Sequence, residues 1–366
     1  MAAVLKNKID RFLQLMLDRG ASDLHLSVGR SPMFRLSGEI DPIRYRVLSN
    51  RDFVQFIKPI VPEPSYWERY LTTGDCDFSY EVQGLARFRV NVFMQEMGFG
   101  GVFRVIPTKL MTVAQLGLPP AVTRICNMTR GLVLVTGPTG SGKSTTLSAI
   151  INQINADRKL HIITIEDPIE FVHPPQKSVI TQREIGPHAR NVTDALRAAV
   201  REDPDLVLVG EMRDVGTISL ALSAAASGLL VFGTLHTNSA AKTVDRIINV
   251  FPVEEQDAVR SIMAETLQAV LAQQLLKKVG GGRVAAVEIM FGGGSLPALI
   301  REGKTHQISS FILQGKRQGM INMDAALLTL MQSGRITEEA AYEKAIDKAD
   351  FRKHLTKPID DEGGGH

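Results

Sequence analysis

The sequence has few cysteines and no marked excess of either charge, and both facts narrow the class of protein. Cys76 and Cys126 are the two cysteines among 366 residues, and they lie far apart in the chain. Two such cysteines provide neither a disulfide framework nor a four-cysteine zinc site, so we expect reduced, buried thiols, as in a cytoplasmic protein. The formal net charge is +3, from 42 Lys and Arg against 39 Asp and Glu. This balance gives no argument for nucleic acid binding.

A secretory signal and a membrane-spanning helix are also not indicated. Residues 1–10 carry two lysines but no apolar core of the kind a signal peptide needs. Residues 215–235 contain no charged residue and are long enough to span a bilayer. Glycine, serine and threonine interrupt that stretch throughout. We therefore predict a buried helix of small residues followed by a core strand.

The first third of the chain predicts a small α+β domain over residues 1–107. Apolar residues have helical spacing over 4–18, and strand patterns occur at 22–27, 33–36, 86–93 and 98–106. A lone histidine, His25, lies in the first of these strands and is expected to be structural. Proline and glycine then mark a linker, which we place at 108–130.

After residue 130 the pattern changes to apolar runs that alternate with helical segments. That alternation predicts an α/β domain over 131–291 with a parallel sheet covered on both faces. The predicted strands are 132–136, 160–165, 206–209, 229–234 and 284–290, and the predicted helices are 145–154, 191–201, 214–226 and 254–277. A helical region at 292–357, with helices at 296–302 and 324–348, and a disordered tail at 358–366 complete the prediction.

A phosphate-binding loop lies between the first strand and the first helix of this domain. The run fits G-x-x-x-x-G-K-[ST] in the strand–loop–helix context that the motif requires. Its glycines allow backbone N–H groups to surround an anion at a helix N-terminus. Lys143 is predicted to reach the β- and γ-phosphates of ATP, and the Ser144 hydroxyl to help hold Mg²⁺. The predicted nucleotide-binding residues are Gly137, Pro138, Thr139, Gly140, Ser141, Gly142, Lys143, Ser144 and Thr145.

Hydrolysis needs further groups near the γ-phosphate, and in open α/β sheets such groups follow the carboxyl ends of strands. Glu166 and Glu211 each follow a predicted core strand, and Glu211 stands beyond a Walker-B-like run. We predict that both are catalytic and that Glu211, alone or together with Glu166, positions the attacking water; the sequence leaves open which one is the general base. His236 follows another strand. It either donates a hydrogen bond to a phosphate oxygen or orders the neighbouring acidic loop.

Arg87, Arg89 and Arg104 lie in predicted strands of the first domain. Their spacing fits a solvated face and an anion-facing set equally well.

Several motifs together resemble the hexameric ATPases of the secretion superfamily, and in particular the PilT-type motors that retract type IV pili. The similarity extends over nearly the whole chain. It rests on the phosphate loop, the histidine at 236, and the runs ASDLHL at 21–26, IEDPIE at 165–170, REDPD at 201–205, GEMRD at 210–214 and AKTVDRII at 241–248.

The resemblance implies a fold, an assembly and roles for the residues. The fold would be a PAS-like N-terminal domain joined to a RecA-like P-loop ATPase domain, with C-terminal helices, in a homohexamer. Arg87, Arg89 and Arg104 become candidate arginine fingers, and His236 a sensor of nucleotide state. The partners implied are an inner-membrane pilus platform protein and other pilus ATPases, at the cytoplasmic face of the membrane. No nucleic acid partner is expected.

Two departures from the family pattern separate its branches. The long N-terminal region and the four-cysteine zinc motif of the extension and type II secretion relatives do not occur here, which favours the retraction branch. Retraction motors commonly carry AIRNLIRE, whereas residues 295–302 read SLPALIRE, with Pro297 expected to start or break a helix. An accessory PilU-like motor is an alternative within the family. A RecA-like nucleic-acid motor, a non-hydrolysing nucleotide-regulated module and a kinase are alternatives outside it.

Overall fold

The computed structural model describes residues 4–36, 38–106 and 110–356. The first two residues of the expected linker, 108–109, and the expected disordered tail at 358–366 lie outside this part of the chain. The chain divides into two compact units. Unit 1 comprises Met1–Lys109 together with two short later segments, Pro168–Val172 and Glu184–His188. Unit 2 comprises Leu110–Asp167, His173–Arg183 and Ala189–His366.

Unit 1 is built on an antiparallel sheet with the strand order β3-β2-β1-β6-β5-β4. The four predicted strands are confirmed, whereas the helix predicted over 4–18 begins only at Asp10. Two further strands, Glu39–Pro42 and Asp75–Val82, and two helices, Asn50–Ile57 and Pro64–Thr73, were not predicted. The strands are β1 Asp23–Ser27, β2 Met33–Leu36, β3 Glu39–Pro42, β4 Asp75–Val82, β5 Ala86–Gln95 and β6 Gly98–Ile106. The helices are α1 Asp10–Asp18, α2 Asn50–Ile57 and α3 Pro64–Thr73, with a 3-10 turn at Lys58–Ile60.

One face of this sheet is apolar and the other carries charge. In β5 the apolar residues Phe88 and Val90 are fully buried, while Arg87 and Arg89 alternate with them and lie on the opposite face. Period-2 alternation of this kind is what a sheet with one covered face requires. The apolar face packs with the helices into a core that includes Phe34, Phe53 and further aromatic residues.

Unit 2 contains a mainly parallel sheet, in the order β13-β12-β7-β11-β10-β8-β9. The predicted strand at 284–290 is antiparallel to its neighbour, and the strands Val179–Glu184 and Leu267–Lys277 were not predicted. Its strands are β7 Gly131–Thr136, β8 His161–Glu166, β9 Val179–Glu184, β10 Leu206–Val209, β11 Leu230–Leu235, β12 Leu267–Lys277 and β13 Arg283–Phe291. The helices that precede β12 are α4 Val122–Cys126, α5 Lys143–Asp157, α6 Val192–Ala199, α7 Val215–Ala226, α8 Ala240–Asn249 and α9 Gln256–Thr266. The C-terminal helices are α10 Leu296–Arg301, α11 Ile308–Gln314, α12 Met323–Gln332, α13 Glu338–Lys344 and α14 Lys348–Phe351. Short 3-10 turns occupy Val253–Glu255, Thr305–Gln307, Gly315–Gln318 and Arg352–His354.

The helix predicted over residues 254–277 is wrong in its second half. Helix α9 ends at Thr266, and the next residue begins β12, which pairs parallel with β7 and antiparallel with β13. Leucine, alanine and glutamine are good helix formers, so local propensity favoured a helix. β12 is an internal strand whose backbone pairs with a neighbour on each side, and burial of nearly every β12 side chain overrides that weak helix preference.

The apolar stretch at 215–235 folds as predicted, into the small-residue helix α7 and the core strand β11, whose residues are all buried. Among the described residues, no helix has the length and apolar character needed to cross a membrane. Both cysteines are buried free thiols, and burial raises the pKa of Cys126 to about 11. Helix α10 begins at Leu296 with Pro297 in its first turn, where a proline starts a helix without losing a backbone bond.

Candidate functional site

The phosphate loop connects β7 to α5 within the core of unit 2. Every residue of β7 is buried, and α5 begins at Lys143 directly after Gly142. Gly142 has a φ of 87°, a left-handed conformation that suits glycine. A Cβ at Gly137 would overlap the backbone carbonyl oxygen of Gln273, so only glycine fits there. The loop therefore has the tight shape that a backbone anion cradle needs.

Lys143 extends over the same loop. Its Nζ donates to the carbonyl oxygens of Gly137, at 2.8 Å, and Pro138, at 3.1 Å. Residues 138–140 form the exposed tip of the loop, while Ser141 is buried and its Oγ has no hydrogen-bond partner among the described residues. A cation at a helix N-terminus with backbone N–H groups around it is suited to a polyphosphate. The loop residues thus fit the predicted nucleotide.

The predicted acidic residues and His236 meet at one edge of the sheet. β7, β11, β10 and β8 run parallel, so their carboxyl ends share that edge. The Gly210 N–H donates to the Ile165 carbonyl at 2.8 Å, and the Met212 N–H donates to the Thr234 carbonyl at 3.0 Å. The loops that begin after β8, β10 and β11 are therefore held side by side.

Glu211 is the centre of a three-residue cluster at this edge. Its Oε1 lies 2.8 Å from Nε2 of His236, and its Oε2 accepts from Nη2 of Arg213 at 2.6 Å. The hydrogen bond and charge of Arg213 lower the pKa of Glu211 although partial burial opposes the shift, and His236 adds to the lowering. An ionised carboxylate only accepts hydrogen bonds, so Nε2 of His236 carries the hydrogen.

Glu166 is fixed separately at the end of β8. Its Oε1 accepts from Oγ1 of Thr164 at 2.7 Å and from Nε2 of Gln182 at 3.2 Å. A Cβ on Gly210 would approach the Cα of Glu166 to 3.3 Å, so the glycine beside Glu211 lets the two acidic loops pack closely.

The three predicted arginines belong to unit 1, and they differ in their surroundings. Arg87 is mostly buried and donates to Glu184 at 2.7 Å and to the Ser79 hydroxyl at 2.6 Å. Glu184 has a side chain only 2% exposed and also accepts from Ser79 and from the Ile169 N–H, at 3.1 Å. Arg87 therefore neutralises a buried carboxylate that also fixes the segment containing Ile169.

Arg89 and Arg104 are more exposed and face each other across β5 and β6. Nε of Arg104 donates to the buried Asp23 at 2.7 Å, while 67% of the Arg104 side chain is exposed. Asp23 also lies 3.8 Å from Nε of Arg35. Burial raises the pKa of Asp23, but hydrogen bonds from Ser22 and Arg104 outweigh it and the pKa is lowered overall.

Sequence reasoning did not identify four side chains that hold the predicted site residues in place. These are Asp23 beside Arg104, Glu184 beside Arg87, Arg213 beside Glu211, and Gln273 beside the phosphate loop. Arg213 lies two residues from Glu211 and was within a quoted motif. The other three partners lie far in sequence from the residues that they contact. Asp23 falls within the run at 21–26, but nothing in that run indicates its contact with Arg104.

Together, the phosphate loop, the mainly parallel sheet and the carboxylates at the strand ends define a P-loop nucleoside triphosphatase. A profile of the family described as Type II/IV secretion system protein matches residues 2–323. The chain belongs to this family.

Individual relatives have similar lengths and high identity. The chain is 50% identical to the type IV pilus retraction ATPase PilT of Pseudomonas aeruginosa over 339 residues, covering 92% of this chain and 98% of that protein. It is 48% identical to a twitching motility protein of Neisseria gonorrhoeae, covering 86% of this chain and 84% of that protein. A crystal structure of the pilus retraction motor PilT with bound ADP superposes with a TM-score of 0.88 at 41% identity, covering 94% of this chain and 99% of that one.

Proposed function

We propose that the protein is an ATPase of the PilT type that powers the retraction of type IV pili and thereby twitching motility. The observation that carries the proposal is the meeting of the phosphate loop, Glu166, Glu211 and His236 at one edge of the sheet of unit 2. The chain is also highly identical to a pilus retraction ATPase over nearly the whole length of that protein, and this supports pilus retraction as the process that ATP hydrolysis drives.

The loop residues 137–145 bind ATP through its phosphates. Backbone N–H groups at the start of α5 face the phosphate oxygens, and Lys143 exchanges its two loop carbonyls for the β- and γ-phosphates. Ser144 is the second residue of α5, and its hydroxyl would hold Mg²⁺. The magnesium ion neutralises part of the phosphate charge when it is bound.

Glu166 and Glu211 have different roles in this mechanism. Arg213 and His236 engage both oxygens of Glu211 and Arg213 lowers its pKa, so Glu211 is a weak proton acceptor that is well placed to fix His236. We assign to Glu166 the orientation of the water that attacks the γ-phosphorus. Cleavage of the bond between that phosphorus and the bridging oxygen then releases ADP and inorganic phosphate.

The arginines of unit 1, from the same subunit or from a neighbouring one, supply positive charge to the phosphates. Arg89 and Arg104 have exposed guanidinium groups, whereas Arg87 must first give up its bonds to Glu184 and Ser79. A phosphate-contacting arginine contributes roughly 10³–10⁵ in rate in nucleotide hydrolases.

The motor acts as a homohexamer in which each subunit's hydrolysis is coupled to its neighbours. It works in the cytoplasm against the inner membrane at the pilus base. There it moves a membrane-embedded platform protein, alone or with other pilus ATPases. A partner is needed because ATP hydrolysis does mechanical work only when the resulting conformational change is transmitted to another protein.

The test measures phosphate release by the purified protein over a range of protein concentrations, beside Lys143→Ala. We expect activity per subunit to rise with concentration and to fall about 100-fold or more in the variant, because the lysine stabilises the phosphate charge. Absence of hydrolysis by the wild-type protein at every concentration would refute the ATPase proposal.

A second measurement tests the biological role separately. The gene is expressed in a bacterium whose own retraction ATPase has been deleted, and twitching is scored beside the Lys143→Ala variant. Restored twitching with the wild-type gene alone supports retraction. Hydrolysis in vitro without restored twitching, at normal protein levels, would assign the ATPase to another task.

A further inference from the structure

Gln273 is a buried amide of β12 that touches the phosphate loop and one turn of the following helix at the same time. Its Nε2 donates to the Ser141 carbonyl oxygen at 2.6 Å, and its Oε1 accepts from Oγ1 of Thr146 at 2.7 Å. The residue is 2% exposed, and Thr146 is buried as well. Both hydrogen bonds are therefore shielded from water, where each is strongest.

The backbone around Gln273 is fitted to the loop as closely as its side chain. β12 pairs with β7 up to Ala272 beside Thr136, so Gln273 follows directly alongside Gly137. A Cβ at Gly142 would lie 2.9 Å from Nε2 of Gln273, and a Cβ at Gly137 would overlap its carbonyl oxygen. Two of the loop's glycines thus leave the space that this one residue occupies.

We propose that Gln273 is a positioning residue for nucleotide binding. It holds the Ser141 carbonyl outward, so that the N–H groups of the loop keep facing the phosphates. Thr146 fixes the orientation of the amide, because a hydroxyl that donates to Oε1 leaves Nε2 for the Ser141 carbonyl. The proposal rests on the proposed ATPase function and adds to it a residue outside the phosphate motif.

The position of Gln273 in the fold lets it support the phosphate loop from a strand that the loop does not join. The phosphate loop is also anchored by β7 and α5, the two elements that it joins, and by β11, because the Gly137 N–H donates to the Leu235 carbonyl at 3.2 Å. Gln273 lies more than 120 residues later in the chain and reaches the loop from a neighbouring strand. A loop that is fixed from the side loses less conformational entropy when it closes around a phosphate.

The test compares ADP and ATP binding by calorimetry in Gln273→Met and Gln274→Met. Methionine keeps the length of glutamine without its hydrogen bonds. We expect Kd to rise about 10-fold in Gln273→Met, in proportion to a lost loop hydrogen bond. Gln274, the neighbour in the same strand, bonds the Lys344 carbonyl instead, and its variant should bind nucleotide as wild type does.

Thr146 provides a second, milder pair of variants. Thr146→Val removes the hydroxyl at nearly constant volume and should weaken nucleotide binding, whereas Thr146→Ser keeps the hydroxyl and should restore it. Added to Gln273→Met, Thr146→Val should cause little further loss, because both changes disturb the same amide. In hydrolysis, KM should rise more than kcat falls, since no group that contacts the reacting atoms has been removed.

The outcomes separate this inference from the proposed function. The role of Gln273 would be overturned if Gln273→Met bound nucleotide with the same Kd as the wild-type protein. It would also be overturned if Thr146→Val and Thr146→Ser bound nucleotide equally well. Failure of the wild-type protein to bind either nucleotide would overturn the proposed function itself. If Gln273→Met does not fold, the two Thr146 variants decide the question.

Discussion

Glu211 is held by two cationic or polar partners, and this arrangement makes its substitution informative. In Glu211→Gln the charge that pairs with Arg213 is lost, and the amide no longer dictates which nitrogen of His236 carries hydrogen. We expect kcat to fall about 100-fold or more with little change in ADP affinity, as measured by steady-state phosphate release and calorimetry.

The companion variant is Glu166→Gln, which should lower kcat at least as far. A Glu211→Gln protein that hydrolyses ATP at the wild-type rate would disprove the role given to Glu211. Equal activity of Glu166→Gln and wild type would move the orientation of water to another residue.

Asp23 orients the guanidinium group of Arg104, and substitution of Asp23 tests whether that orientation is needed for ATP hydrolysis. Asp23→Asn removes the charge that faces Nε of Arg104 and lies 3.8 Å from Arg35. We expect a loss of about 1–3 kcal/mol in the free energy of unfolding, from the buried charge-assisted bond. Hydrolysis should fall about 10-fold in kcat, because a mispositioned charge stabilises the transition state less well.

The matched control is Asp77→Asn, at an exposed carboxylate 3.9 Å from Arg89. Exposed pairs contribute little, so denaturant unfolding and kcat should both stay close to wild type. Equal effects of the two substitutions would show that Asp23 has no special influence on Arg104.

Among the secondary-structure elements, Glu288 of β13 joins the first turns of two helices. Its Oε1 accepts from the Ala240 N–H of α8 at 2.7 Å, and its Oε2 accepts from the Met323 N–H of α12 at 3.2 Å. Glu288→Ala leaves both buried amides without an acceptor, at about 1–3 kcal/mol each. Hydrogen exchange should quicken at the starts of α8 and α12, while Glu302→Ala, at an exposed position, should change neither.

The same glutamate predicts a pH dependence of stability. Burial raises the pKa of Glu288, and the nearby Asp324 adds to the effect, although the two amides oppose it. The folded state therefore binds this proton more tightly than the unfolded state, so the contribution of Glu288 to stability decreases as pH rises from its unfolded pKa through the raised one. In Glu288→Gln this contribution is absent. The difference in unfolding free energy, wild type minus variant, should thus become larger on acidification, and a difference independent of pH would contradict the raised pKa.

Some features of the secondary-structure elements and of the candidate site could be predicted from the sequence, and others could not. The phosphate loop and Glu211 were predictable because each follows a short apolar run, so strand, turn and chemistry appear within ten residues. Gln273 was not, because its partner Ser141 is 132 residues away and its own strand resembles a helix in composition. Asp23 and Glu184 are likewise separated from Arg104 and Arg87 by 81 and 97 residues. Contacts of such range depend on topology, which residue spacing does not encode.

At the scale of the whole molecule, the Arg87–Glu184 pair predicts that unit 1 is incomplete without its two later segments. A fragment of residues 1–109 keeps Arg87 but lacks Glu184 and Ile169. We expect this fragment to unfold at lower denaturant concentration than unit 1 does in the full chain. Full-length Glu184→Gln should lose about 1–3 kcal/mol through the weakened pair. Equal stability of the fragment and of the same region in the full chain, measured by hydrogen exchange, would contradict this expectation.

The composition of unit 1 also constrains how the protein is made. Its last strand, β6, ends at Ile106, yet its final segment ends at His188. At about 5–20 residues per second on the ribosome, that gap corresponds to several seconds of synthesis. Until Glu184 is synthesised, the nascent chain carries Arg87 without the buried carboxylate that it bonds in the finished protein. The amino-terminal part of the chain is therefore synthesised first, but it can reach its final state only after residue 188, where its last segment ends.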